Sequence, residues 1–100
     1  MPSTDIQLDE KIKVTATEPK RWKVILLNDD STPMEFVIAV LIEIFKHTQD
    51  SARDIMLQVH ETGSGIAGVY SFEIAEAKAV EATNQARTNG HPLQIKLEEE

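Results

Sequence analysis

Cysteine is absent from the 100 residues of the chain. Its absence excludes disulfide bonds, a thiolate nucleophile and a cysteine-based zinc site, and a chain of this kind fits a reducing cytoplasm. Basic side chains are scarce as well, since 17 Asp and Glu residues outnumber 10 Lys and Arg residues and give a formal net charge of −7. This negative excess repels phosphate backbones and anionic lipid surfaces, so neither nucleic acid nor a membrane is an expected partner.

Long apolar runs are also missing. No stretch approaches the roughly 20 residues that span a bilayer, and no signal sequence opens the chain, so we expect a soluble protein. The length of 100 residues and the 41 % hydrophobic content support one small folded domain. We expect a flexible extension at residues 1–20, where isolated apolar residues follow no sustained period, a folded core at residues 21–98 and an acidic tail end at residues 99–100.

The core sequence predicts six elements in the order β-α-α-β-α-β. The apolar, β-branched run Trp22–Leu27 predicts a largely buried strand. A helix is expected to begin at Pro33, because Thr32 and Glu35 have the spacing of a capping box and proline suits the first helical position. This helix carries an apolar stripe wide enough to face a core.

The rest of the core predicts two more helices and two more strands. The first of these helices is expected to be capped by Thr48 or Asp50 and to end at Gly63. It is followed by a strand at Ile66–Tyr70, a helix from Phe72 to Asn89 and a strand at Leu93–Leu97. The fold class that we expect is α+β, with a three-stranded antiparallel sheet packed against three helices.

Polar side chains are concentrated where the first strand meets the first helix. Asn28, Asp29 and Asp30, together with His60 on the second helix, could surround an ammonium group and satisfy its three donors. A peptide α-amino group has that valency. The alternatives are that the Asn and Asp residues only form an Asx-type turn and that His60 is an ordinary surface histidine.

Apolar residues that could line a cavity lie near this polar joint. They are Met34, Val37, Met56, Val59 and Leu93. Methionine side chains adapt to large apolar groups of different shape, although ordinary core packing explains the same spacing. A cation site beside an apolar cavity would recognise a residue that has both features.

Five segments give the chain a family resemblance: Trp22–Val37, Ile55–His60, Gly68–Tyr70, Ala75–Lys78 and His91–Leu93. In their sequence, order and spacing these segments closely resemble the ClpS family of bacterial adaptor proteins, over roughly residues 20 to 98. The resemblance implies an adaptor and not an enzyme, with no cofactor. Its implied task is to bind proteins that begin with Leu, Phe, Tyr or Trp and to deliver them to the ClpA unfoldase of the ClpAP protease.

The resemblance also implies roles for single residues. It places Asn28, Asp30 and His60 at the substrate α-amino group with Asp29 in support, and Met34, Val37, Met56, Val59 and Leu93 in the side-chain pocket with Thr32 at its rim. Met34 takes the position of a gatekeeper against β-branched first residues. Glu73 and Lys78 match positions that contact the N-terminal domain of the unfoldase, and the N-terminal extension matches the segment needed for delivery.

Two residues depart from the usual family pattern. Ser31 stands where most members have Tyr, and Ala67 stands where many have Cys. The loss of the Tyr ring could open the rim of the pocket or change the preference among the four first residues, as in a divergent paralogue.

Two other functions remain open from the residues alone. Asp29, Asp30 and His60 could serve a small metal-dependent hydrolase, although their spacing selects no metal and no nucleophile accompanies them. A general protein-interaction domain without specificity for a first residue is the second alternative.

Overall fold

The computed structural model describes residues 19–100. Its elements are β1 (Trp22–Leu27), α1 (Met34–Glu43), α2 (Gln49–Thr62), β2 (Ser64–Tyr70), α3 (Phe72–Thr88) and β3 (Gln94–Glu99). The three strands form one antiparallel sheet in the order β2-β1-β3, so that β1 is central. This arrangement confirms the predicted α+β class. The extension predicted at residues 1–20 lies outside the described residues, except for Pro19 and Lys20.

The core lies between the sheet and the helices. Val24 and Leu26 of β1 are fully buried and belong to the same apolar cluster as Val40 and Leu41 of α1. Small buried residues on α3, including Ala75 and Ala82, complete that cluster. Alanine at these positions lets the α3 backbone approach closely, as its sequence predicts. Each helix has a buried face that contributes to the core.

The start of α1 differs from the prediction. The helix begins at Met34, Pro33 is its N-cap residue, and no side chain caps it. The expected capping box does not form because the helix starts one residue later, with Pro33 at the N-cap position where Thr32 was expected. The Thr32 hydroxyl donates to Asp29 Oδ2 at 2.7 Å. The prediction was therefore wrong about Thr32, which is held by the preceding loop rather than by the helix.

The second and third strands are longer than predicted. β2 already begins at Ser64, where Leu27 of β1 is its partner, and β3 continues to Glu99, which pairs with Trp22. Lys23 forms an ion pair with Glu98 at 3.4 Å. The acidic residues at the end of the chain thus take part in the sheet, past the boundary at residue 98 that the sequence suggests.

Candidate functional site

A cavity of about 300 Å³ opens between the β1–α1 loop and one face of α1 and α2. Both a polar and an apolar group of side chains line it: Asn28, Asp29, Asp30, Thr32, Pro33, Met34, Val37, Met56, Val59 and His60. The structure therefore brings together nearly all of the residues that the sequence singled out for a binding site.

The Asp29 carboxylate organises the β1–α1 loop. Its Oδ1 accepts the backbone N–H groups of Ser31 and Thr32, both at 2.8 Å, and its Oδ2 accepts the Thr32 hydroxyl at 2.7 Å. Burial raises the pKa of Asp29, but these three hydrogen bonds and the nearby charge of His91 outweigh it and lower the pKa below 3.8. The Asx-type turn that the sequence left open is present.

The end of α2 is tied to the same loop. Gly63 ends α2 in the left-handed conformation, with φ of 97°, and its carbonyl accepts the Asn28 N–H at 3.0 Å. The left-handed conformation suits glycine, as the sequence predicts for a helix end. Because His60 lies in the last turn of α2, this hydrogen bond brings the imidazole to the polar side of the cavity.

The polar side of the cavity presents hydrogen-bond acceptors to solvent. Asn28, Asp30 and His60 are all exposed, and their side chains form no hydrogen bond with another group in residues 19–100. Amide, carboxylate and neutral imidazole groups can each accept a bond from an ammonium. Within the part of the chain described here, no three His, Asp or Glu side chains group closely enough to hold a metal ion.

The apolar side of the cavity is formed by α1 and α2. Val37, Met56 and Val59 are buried at its base, whereas 42 % of Met34 is exposed at its mouth. Leu93, which the sequence also assigned to the pocket, is 1 % exposed and is not among the lining residues. The two buried valines and Met56 give the cavity a fixed base, and Met34 has room to adapt.

Sequence reasoning missed one residue that lines the cavity, and the structure shows where the two departures from the family pattern lie. Pro33 contributes to the wall of the cavity. Its position between Thr32 and Met34, which were both assigned to the site, could have indicated this. Ser31 donates its backbone N–H to Asp29, but it is exposed and does not line the cavity. Ala67, the other departure, is fully buried in the core.

The two residues predicted to contact an unfoldase lie on α3. Glu73 is exposed in the first turn of the helix. Lys78 is partly buried, because its Nζ donates to the carbonyl of Ile44 at 2.7 Å and lies 5.4 Å from the centre of the Tyr70 ring. Lys78 therefore has a structural partner within the fold.

Comparison with known proteins identifies the family. The model of the family described as "ATP-dependent Clp protease adaptor protein ClpS" matches residues 17–96. The chain belongs to the ClpS family. ClpS adaptors of the Clp protease are not enzymes, and this membership confirms the adaptor prediction and removes the hydrolase alternative.

Individual ClpS proteins are similar over most of the chain. The ClpS adapter of Oleidesulfovibrio alaskensis is 47 % identical over 95 residues, which cover 95 % of this chain and 88 % of that protein. The ClpS adapter of Bdellovibrio bacteriovorus is 54 % identical over 82 residues, covering 82 % and 72 %. The structure of Agrobacterium tumefaciens ClpS2 bound to L-phenylalaninamide matches with a TM-score of 0.80 and 44 % identity, and covers 83 % of this chain and all of that one.

None of the helices in residues 19–100 is both long enough and apolar enough to cross a bilayer.

Proposed function

We propose that this chain binds proteins through a free N-terminal Leu, Phe, Tyr or Trp and delivers them to a ClpA-type unfoldase for degradation in the cytoplasm. The observation that supports this function is a single cavity that has exposed acceptor groups at one side and an apolar base at the other. The first residue of a protein is the one residue that combines an α-ammonium with a side chain.

The polar side explains why a chain end would be preferred. An α-amino group offers three N–H donors and a positive charge to Asn28, Asp30 and His60, whereas an internal amide offers one donor and no charge. An internal residue would leave acceptors unpaired, at about 1 to 3 kcal/mol for each group that is desolvated. Recognition of the free amine follows from this difference.

The apolar side explains why the first side chain would be large. Burial against Val37, Met56 and Val59 contributes about 25 cal/mol for each Å² of apolar surface removed from water. A Leu or aromatic side chain has far more such surface than Ala or Ser. The relative ClpS2 binds L-phenylalaninamide, a molecule with both a free α-amino group and an aromatic side chain.

Fluorescence anisotropy with short peptides that differ only in residue one tests this proposal. Peptides with free N-terminal Leu, Phe, Tyr or Trp should bind, and N-acetylation should abolish binding. Asp30→Asn should weaken binding, while the matched control Asp54→Asn, an exposed change on α2 away from the cavity, should not. Met34→Ala should relax side-chain selection. Equal affinity for acetylated and free peptides would refute the proposal and favour a general interaction domain.

A further inference from the structure

The two adjacent carboxylates of the β1–α1 loop are in different environments. Asp29 accepts three hydrogen bonds from its own loop, at 2.7 and 2.8 Å, and these bonds occupy both of its oxygens. Asp30 is exposed and accepts no hydrogen bond from any other group in residues 19–100. Since a carboxylate has about four acceptor sites, Asp29 has little capacity left for a ligand, and Asp30 has all of its own.

Thr32 links this carboxylate to the cavity. Its backbone N–H and its hydroxyl both donate to Asp29, and Thr32 itself lines the cavity beside Pro33 and Met34. The hydroxyl has a single proton, and that proton is committed to Asp29 Oδ2 at 2.7 Å. The Thr32 side chain is therefore held from inside the loop and cannot at the same time donate to a ligand.

The bonds to Asp29 fix the path of the loop between β1 and α1. At one end of the loop the Asn28 N–H is bound to the Gly63 carbonyl at 3.0 Å, and at the other end α1 begins. A short loop that is fixed at both ends and in the middle has few alternative conformations. Asn28 and Asp30, on either side of Asp29, thus project their side chains from a rigid backbone.

Resting on the proposed function, we infer that Asp29 and Thr32 form a positioning pair that aims Asn28 and Asp30 at the substrate ammonium, and that Asp29 does not itself bind it. This assigns Thr32 a role in affinity through its hydroxyl, and it separates the roles of two neighbouring acids. Thr32→Val replaces the hydroxyl with a methyl group and keeps the branched shape of the side chain. Thr32→Ser keeps the hydroxyl and removes only the methyl group.

A double-mutant cycle with Asp29→Ala, which removes both acceptor oxygens, and Thr32→Val tests the inference. Binding of a peptide with a free N-terminal Phe is measured at a temperature well below unfolding, and a urea titration of each variant confirms that it is folded. Thr32→Val should weaken binding by about three- to tenfold, as expected for one lost hydrogen bond. Thr32→Ser should restore wild-type affinity, and Thr83→Val, the same change on α3 away from the cavity, should have no effect.

The decisive readout is the effect of Thr32→Val in the Asp29→Ala background, because residues that act through one contact are not additive. The inference requires this effect to fall to less than about twofold there. An effect of the same size in both backgrounds, or no effect of Thr32→Val in either, overturns it. The proposed function is judged separately, by whether the wild-type chain distinguishes the free peptide from the acetylated one.

Discussion

Lys78 provides a prediction that separates a structural role from a partner-binding role. The carbonyl of Ile44 lies at the C-terminal end of α1, and no basic residue occupies the last turn of that helix. Lys78 supplies the missing positive charge from α3, with its Nζ 2.7 Å from that carbonyl. A cation at this end of a helix satisfies an unpaired carbonyl and is favoured by the helix dipole. We therefore predict that Lys78 stabilises the fold.

The size of the effect follows from the two contacts of the ammonium. A hydrogen bond from a charged donor contributes about 1.5 to 3 kcal/mol, and a cation over an aromatic ring at an exposed site contributes about 0.5 to 1 kcal/mol. The same ammonium makes both contacts and is only partly buried. We therefore expect Lys78→Met, which keeps the apolar stem, to lower the free energy of unfolding by about 1.5 kcal/mol. In a domain of this size each kcal/mol shifts Tm by about 4 to 8 °C, so Tm should fall by about 6 to 12 °C.

Thermal denaturation followed by circular dichroism measures this shift. Glu73→Gln is the control on the same helix, because Glu73 is exposed and forms no ion pair within residues 19–100, and its Tm should change by no more than about 2 °C. Binding to the isolated N-terminal domain of a ClpA-type unfoldase is measured in parallel. If the family roles apply, both variants bind the unfoldase less tightly, but only Lys78→Met is less stable. A wild-type Tm for Lys78→Met would refute the structural role.

Two further predictions concern the loop and helix end that build the cavity. Gly63→Ala should lower the free energy of unfolding, measured in urea, by about 1 kcal/mol, because alanine is strained at a φ of 97° even though no atom lies within 4 Å of the added Cβ. Gly63→Asn should lower it by less, since asparagine tolerates the left-handed conformation better. Equal stability of all three proteins would contradict this prediction. The pKa of Asp29 is lower in the folded chain than its ordinary 3.8, so its stabilising effect is complete above about pH 5 and is lost as the pH falls through the folded pKa. The difference in unfolding free energy between wild type and Asp29→Asn should be constant from about pH 5 to 7 and shrink below about pH 4. A difference that is as large at pH 3 as at pH 5 would show that the carboxylate charge is not responsible.

The regular elements of the fold were predictable because local chemistry decides them. The β-branched run of β1, the Thr48 cap of α2 and the glycine at its end each have a direct physical preference for what the structure shows. The start of α1 was misplaced because two local signals competed. Thr32 could be the N-cap residue of the helix or the last residue of an Asx-type turn around Asp29, and only the conformation of the whole loop decides between them.

The ends of the strands depend on contacts that are distant in the sequence. Glu98 and Glu99 have poor intrinsic preference for a strand, yet β3 includes them because β1 offers backbone partners and Lys23 and Lys20 offer opposite charges, at 3.4 and 3.1 Å. Leu93 shows the same limit for the site. An apolar residue that the sequence assigns to a cavity can either line the cavity or be buried behind its wall. Leu93 is buried and does not line the cavity.

Asp29 shows why the two interpretations of the polar joint were not true alternatives. A turn held by a side-chain carboxylate and a binding site for a cation seemed to compete for the same residues, because the sequence gives two acids in succession and no means to tell them apart. Hydrogen-bond accounting distinguishes them: Asp29 is satisfied by Ser31 and Thr32, and Asp30 is left with its acceptors free among the described residues. A site that must hold an ammonium in one orientation needs a rigid support as well as an acceptor. Under the proposed function, Asp29 would provide the support and Asp30 the acceptor, so the turn would be the means by which the proposed site is built.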